Sequence, residues 1–219
     1  MTSPQRAASQ EVMDCLRQTR LLAIVRTAAA GRIPAIVETL AQSGVRAVEI
    51  ALANADAVTA IRAVAKHEIP GLLLGAGTVL DVDAAAAAFD AGAAYFVSPG
   101  VIPEVIRFAA ERNVAVFPGA YTATEVLTAM GLGAPAVKLF PASTGGPGYL
   151  SALLGPLPSA RLLPTGGVTL ESIPDYLDAG AFAVAIGSPL IRDADSTGNL
   201  DALAARAQTA VRLAGERPA

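Results

Sequence analysis

Ala136-Val137-Lys138-Leu139-Phe140-Pro141 sets a lysine in the middle of an apolar run. Gly133-Ala134-Pro135 precedes it and Pro141 closes it, so the run reads as a short buried strand between turns. The chain has two lysines, Lys66 and Lys138, against fourteen arginines, which makes a strand-borne lysine unusual. Two fates are open to it. An ammonium out of water is costly unless it is paired or loses its proton, and a lysine whose pKa falls in this way becomes a nucleophilic amine. A lysine at a strand end also has the option of snorkelling its head into solvent.

On either side of this strand the sequence keeps a regular beat. Strand-like runs fall at 21–25, 47–50, 72–76, 95–98, 115–117, 136–140, 161–164 and 183–186. Ala- and Leu-rich helical stretches such as 33–42, 55–66 and 103–112 lie between them, and a helix over 8–20 precedes the first. Eight such units predict an α/β fold, a (β/α)8 TIM barrel with an extra N-terminal helix. No linker or compositional break interrupts the beat, so one domain is expected over 1–219. A doubly wound open sheet is the alternative, but the turn after the first run, Arg26-Thr27-Ala28-Ala29-Ala30, lacks the glycines of a dinucleotide-binding turn. Ser43-Gly44-Val45, Ala91-Gly92-Ala93 and Ala179-Gly180-Ala181 repeat one pattern, read as a helix-ending glycine.

Composition narrows the function. Hydrophobic residues make up 53% of the chain, enough for a large core, and the net charge of −3 argues against nucleic acid or an anionic membrane as partner. One cysteine, Cys15, leaves no intrachain disulfide, and Met1 to Gln10 lacks the apolar stretch of a signal peptide; both point to the cytoplasm. The longest charge-free stretch, 139–160, is interrupted by prolines and glycines, so no membrane span is expected. The only histidine, His67, follows Lys66 at a helix end. A zinc site and a Ser-His-Asp triad are therefore both unsupported, and no metal or other cofactor is expected.

In a barrel the chemistry gathers at the C-terminal ends of the strands. Those ends read Arg26, Glu49, Gly77-Thr78, Ser98-Pro99-Gly100, Pro118-Gly119, Lys138, Thr165-Gly166-Gly167 and Gly187-Ser188. Glu49 is a second charge in an apolar run, and strand alternation brings it inside the rim with Lys138 if both point inward. A plain ion pair would explain the two, but a buried pair is a poor source of stability. An amine that attacks a ketone, with a carboxylate that shuttles protons, explains them better. The glycine loops after the seventh and eighth runs suit a phosphate held on backbone N–H groups.

These motifs carry a resemblance. Glu49-Ile50, Gly75-Ala76-Gly77-Thr78-Val79, Val97-Ser98-Pro99-Gly100, Phe117-Pro118-Gly119, Lys138-Leu139-Phe140-Pro141, Pro164-Thr165-Gly166-Gly167-Val168 and Ile186-Gly187-Ser188 occur in this order. The ordered set resembles the 2-keto-3-deoxy-6-phosphogluconate (KDPG) aldolase family, which includes 6-phosphogalactonate and 4-hydroxy-2-oxoglutarate aldolases. It covers the chain from about Leu21 to Leu190. The resemblance implies a class I aldolase of the Entner-Doudoroff pathway, a homotrimer, yielding pyruvate and glyceraldehyde 3-phosphate from a small phosphorylated keto acid. It implies Lys138 as the imine-forming lysine and Glu49 as the proton shuttle. Thr78 with Arg26 would hold the pyruvate carboxylate, Pro99 and Thr165 would contact substrate, and Gly166, Gly167, Gly187 and Ser188 would hold the phosphate. Where many phosphogluconate-type members carry Thr-Leu-Arg after the glutamate, this chain has Ala51-Leu52-Ala53, and Arg26 is the substitute on offer.

Two readings compete with the aldolase: a sugar-phosphate isomerase or epimerase with Lys138 as an electrostatic group, and a non-catalytic phosphate-binding barrel. Within the family, Pro164-Thr165 is similar to the phosphogluconate branch, while Arg26 and Ser143-Thr144-Gly145-Gly146-Pro147 sit closer to the phosphogalactonate type. The phosphogluconate epimer is the expected substrate.

Overall fold

The computed structural model describes residues 4–27 and 29–215. Helix α1 (Pro4–Thr19) leads into β1 (Leu21–Val25), α2 (Ile33–Gln42), β2 (Ala47–Ala51), α3 (Ala57–Lys66) and β3 (Leu73–Gly77). Then come α4 (Val82–Asp90), β4 (Tyr95–Val97), α5 (Pro103–Glu111), β5 (Ala115–Phe117), β6 (Gly119–Ala120) and α6 (Ala123–Gly131). The C-terminal third is β7 (Val137–Leu139), α7 (Gly146–Leu154), β8 (Leu162–Pro164), α8 (Ile173–Asp178), β9 (Val184–Ile186), α9 (Ser188–Ile191), α10 (Ala194–Thr197) and α11 (Leu200–Gly215).

All strand pairing is parallel, and the sheet curls. Its hydrogen bonding falls into a six-stranded ladder, β5-β4-β3-β2-β1-β9, and a three-stranded one, β6-β7-β8. Two junctions connect them. At one, β5 runs into β6 through Pro118, which has no N–H to give to a ladder, so the strand expected over 115–117 is followed by a second short one. The Pro118 carbonyl still accepts from the Lys138 N–H at 2.9 Å. At the other, an isolated bridge pairs Thr165 with Ala185, and the Phe182 N–H donates to the Leu162 carbonyl at 2.9 Å. All eight expected strands are present in this curled parallel sheet, Pro118 accounts for a short additional one, and the hydrogen bonding runs in two ladders.

Alternation along the strands builds two apolar layers. Leu22, Ala47, Tyr95, Val97, Phe117, Leu163 and Ala185 face the inside of the curl, where Val12, Met13 and Leu16 of α1 join them. Val25, Val48, Ile50, Phe96, Val116 and Ile186 face outward and pack under the helices. Each large side chain so buried contributes about 1.5–3 kcal/mol. Charges inside the first layer are therefore conspicuous, and Glu49 and Lys138 are the two that the strands carry there.

The helix-ending glycines follow the repeated pattern. Gly44, Gly92 and Gly180 have φ of +97°, +104° and +103°. The next residue donates back over five positions each time, as in Val45 N–H to the Leu40 carbonyl at 3.0 Å. Gly133, φ +93°, ends α6 in the same way and falls outside the pattern because Leu132, not a small residue, precedes it.

Candidate active site

A cavity of about 440 Å³ opens at the C-terminal ends of β1, β2, β7, β8 and β9. Its walls include Arg26, Glu49, Lys138, Thr165, Gly166, Gly167, Gly187 and Ser188, eight of the residues singled out in the sequence. Glu49 and Lys138 are 2% and 8% exposed, so both charged groups are withdrawn from water. No ion pair within 4 Å joins them among the described residues, and they act on each other through space. Burial pushes the Glu49 carboxyl above its ordinary range, against the pull of Lys138 and Arg26. Burial also lowers the Lys138 ammonium; Glu49 works against that shift and Arg26 adds to it. Each group is thus brought nearer to neutrality, as suits an amine that must attack and an acid that must exchange protons.

The glycines make this arrangement possible. In the register of the six-stranded ladder, Glu49 stands between Ile24 and Gly75. The Glu49 side chain leans over β3, where a Cβ on Gly77 would collide with its carboxylate. Gly119 pairs with Lys138 across β6 and β7, and a Cβ on Gly119 would strike the Pro99 carbonyl. Gly166 and Gly167, with φ of +85° and +77°, take the left-handed turn that follows β8. They also admit close neighbours, the Phe140 ring against Gly166 and the Ser143 side chain against Gly167.

Thr78 and Pro99 stand outside the cavity wall. The Thr78 hydroxyl accepts from the Arg26 guanidinium at 3.0 Å, so Thr78 meets the cavity through Arg26. Its φ of +60° is rare for a β-branched residue and marks local strain beside the site. Phe140, quoted above only as part of a motif, and Ile24 have no site role in the sequence reading, yet both line the cavity. The Lys138 Nζ lies 4.9 Å from the centre of the Phe140 ring, which is 39% exposed, an unusual state for a phenylalanine. Asp81 accepts from the Ala84 N–H at 2.7 Å as the N-cap of α4. Among the described residues, no three His, Cys, Asp or Glu side chains gather as a metal-binding set.

A family model for KDPG and KHG aldolases matches residues 12–205. The chain belongs to this aldolase family. The aldolase, a lyase by its chemistry, is 43% identical over 162 residues to the 2-dehydro-3-deoxy-phosphogluconate aldolase of Pseudomonas aeruginosa, covering 74% of this chain and 73% of that one. It is 35% identical over 181 residues to a probable 2-dehydro-3-deoxy-6-phosphogalactonate aldolase of Rhizobium meliloti, covering 82% and 85%. The crystal structure of the Zymomonas mobilis 2-keto-3-deoxy-6-phosphogluconate aldolase with 3-phosphoglycerate superimposes on it with a TM-score of 0.83. That protein is 29% identical, with 92% of this aldolase and 95% of the other covered.

Proposed function

We propose that this aldolase cleaves 2-keto-3-deoxy-6-phosphogluconate to pyruvate and glyceraldehyde 3-phosphate through an imine on Lys138. The observation that carries the reading is a buried lysine, its ammonium disfavoured by burial, facing a buried carboxyl across one cavity. The Lys138 amine adds to the C2 ketone and water leaves, forming the imine. The C3–C4 bond then breaks, its electron pair moving into the iminium as an enamine, while Glu49 takes the proton of the C4 hydroxyl and the aldehyde departs. Glu49 returns the proton to C3, and water releases pyruvate.

Arg26, oriented by Thr78, is the group proposed for the keto-acid carboxylate. Pro99 meets the site through its contact with Gly119, the register partner of Lys138. Thr165, Gly166, Gly167, Gly187 and Ser188 are proposed for the far end of the substrate, with the phosphate on backbone N–H groups. The phosphogluconate epimer is favoured by the higher identity to the Pseudomonas relative, 43% against 35% for the phosphogalactonate one. The same reading takes the two ladders as one (β/α)8 barrel in a single domain, 1–219, with α1 an additional helix packed into its inner layer. It also takes the working form as a cytoplasmic homotrimer of the Entner-Doudoroff pathway. Among the described residues no helix is long and apolar enough to cross a membrane.

Borohydride reduction with pyruvate, followed by peptide mapping, tests the reading. A reduced pyruvyl group on Lys138 with loss of activity is expected. No adduct, or one confined to Lys66, would favour the isomerase alternative, in which no covalent bond forms.

A further inference from the structure

Inside the curl, in the same strand layer as Glu49, lies a polar atom that the chemistry above does not use. Tyr95 is fully buried, and its hydroxyl has no hydrogen-bond partner among the described residues. Buried hydroxyls are nearly always bonded, to protein or to ordered water, and an orphan costs free energy. A phenylalanine would have packed the same space without that cost.

The position of the ring indicates what the hydroxyl serves. Glu49, Gly75 and Tyr95 form one row across β2, β3 and β4. Gly75 has no side chain to separate the other two, and a Cβ there would collide with the tyrosine ring, the hydroxyl-bearing Cζ included. The phenol end of Tyr95 therefore lies over Gly75, next in the row to Glu49. The Glu49 carboxylate in turn lies over Gly77, two residues further along β3. Adjacent strands are about 4.8 Å apart and two residues along a strand about 6.6 Å. The phenol and the carboxylate thus stand over two glycines of one strand, near enough to act on each other and with no direct hydrogen bond between them. The Phe117 ring, 5.7 Å from the Tyr95 ring between centroids, bounds the phenol on the β5 side.

We propose that Tyr95 is a positioning residue for Glu49: its hydroxyl donates to one ordered water, and that water donates to the Glu49 carboxylate. The proposal rests on Glu49 as the proton carrier and names what holds it in place. Glu49 is faced by Lys138 from β7, Arg26 from the end of β1 and Tyr95 from β4. Tyr95 is faced by Glu49 and, from α1, by Cys15. A hydrogen bond to the ionised carboxylate favours that form, so it opposes the upward push of burial and keeps Glu49 able to accept the C4 proton.

The test compares Tyr95→Phe, Glu49→Gln and the double variant with the wild-type enzyme. Tyr95→Phe keeps the ring against Gly75 and Phe117 and removes the donor. The acid limb of its pH–kcat/KM profile should move up by roughly half to one pH unit. Its kcat should fall by roughly 3- to 10-fold with KM little changed. In the Glu49→Gln background the same change should cost nothing further. An unmoved acid limb, together with a raised melting temperature, overturns the proposal, because an unused buried phenol is stabilised by its removal. Full activity in Glu49→Gln alone is a different result: it overturns the proton-carrier reading itself.

Discussion

A methyl group on Gly119 would run into the backbone carbonyl of Pro99. At this point β6 and the turn after β4 touch through backbone alone, with no flexible side chain to absorb an added atom. Gly119→Ala should therefore destabilise the protein by about 1–3 kcal/mol and lower the thermal midpoint by several degrees. Because Gly119 pairs with Lys138, turnover should fall as well. An unchanged melting curve would show that the strand shifts freely there.

The pH dependence of imine formation follows from the surroundings of Lys138. Its free amine grows with pH, and burial places the midpoint below the ~10.4 of an ordinary lysine. Glu49 is the group that holds the proton on, so Glu49→Gln should move the midpoint of pyruvate trapping lower still. Rapid-quench borohydride trapping across pH measures both. A midpoint that rises in the variant contradicts the coupling.

Turnover should be far more sensitive to Glu49 than imine formation is. Loss of a general acid–base group costs roughly 10²-fold or more, so kcat of Glu49→Gln should drop by that factor while trapped imine still accumulates slowly. A folded variant with normal kcat removes Glu49 from the chemistry. One that no longer folds identifies it as a structural partner of Lys138.

Chelation should leave the enzyme active. The imine supplies the electron sink that a Lewis-acid metal would supply in another mechanism, and the cavity wall offers one carboxylate, Glu49. Activity lost on exhaustive EDTA treatment and restored by Mg²⁺ or Mn²⁺ would count against the imine.

The substrate's far end should matter to rate. In the proposed binding mode a phosphate on the Gly166-Gly167 and Gly187-Ser188 backbone would orient the C3–C4 bond over Lys138. Removing it from the substrate should lower kcat/KM by roughly 10²- to 10³-fold. Measuring both C4 epimers, with and without phosphate, also ranks them, the phosphogluconate epimer being expected to lead. Equal rates for phosphorylated and free substrates would turn the assignment towards 4-hydroxy-2-oxoglutarate.

The strands were legible because period and composition agree: 47–50 and 72–76 were read within a residue of β2 and β3. Glu49 and Lys138 stood out as charges in apolar runs, a signal that survives any uncertainty about neighbours. The break at Pro118 was present as a proline, but only the differing partners of β5 and β6 give it meaning. Phe140 and Ile24 read as ordinary strand residues, since nothing local tells a cavity wall from a packed core. The indirect contact of Thr78 was equally hidden. Its threonine was conspicuous, whereas the hydrogen bond to Arg26 spans 52 positions in sequence.

The junction where Thr165 meets Ala185 runs through the cavity. Lys138, Thr165, Gly166 and Gly167 belong to the three-stranded ladder and the loop after it, while Arg26, Glu49, Gly187 and Ser188 belong to the six-stranded ladder and its loops. On the proposed binding mode, a keto acid bonded to Lys138 and held by Arg26 and Ser188 would be a cross-link between the two sheets. Its binding free energy would then be felt as cohesion along the seam, making the occupied enzyme a stiffer object than the empty one.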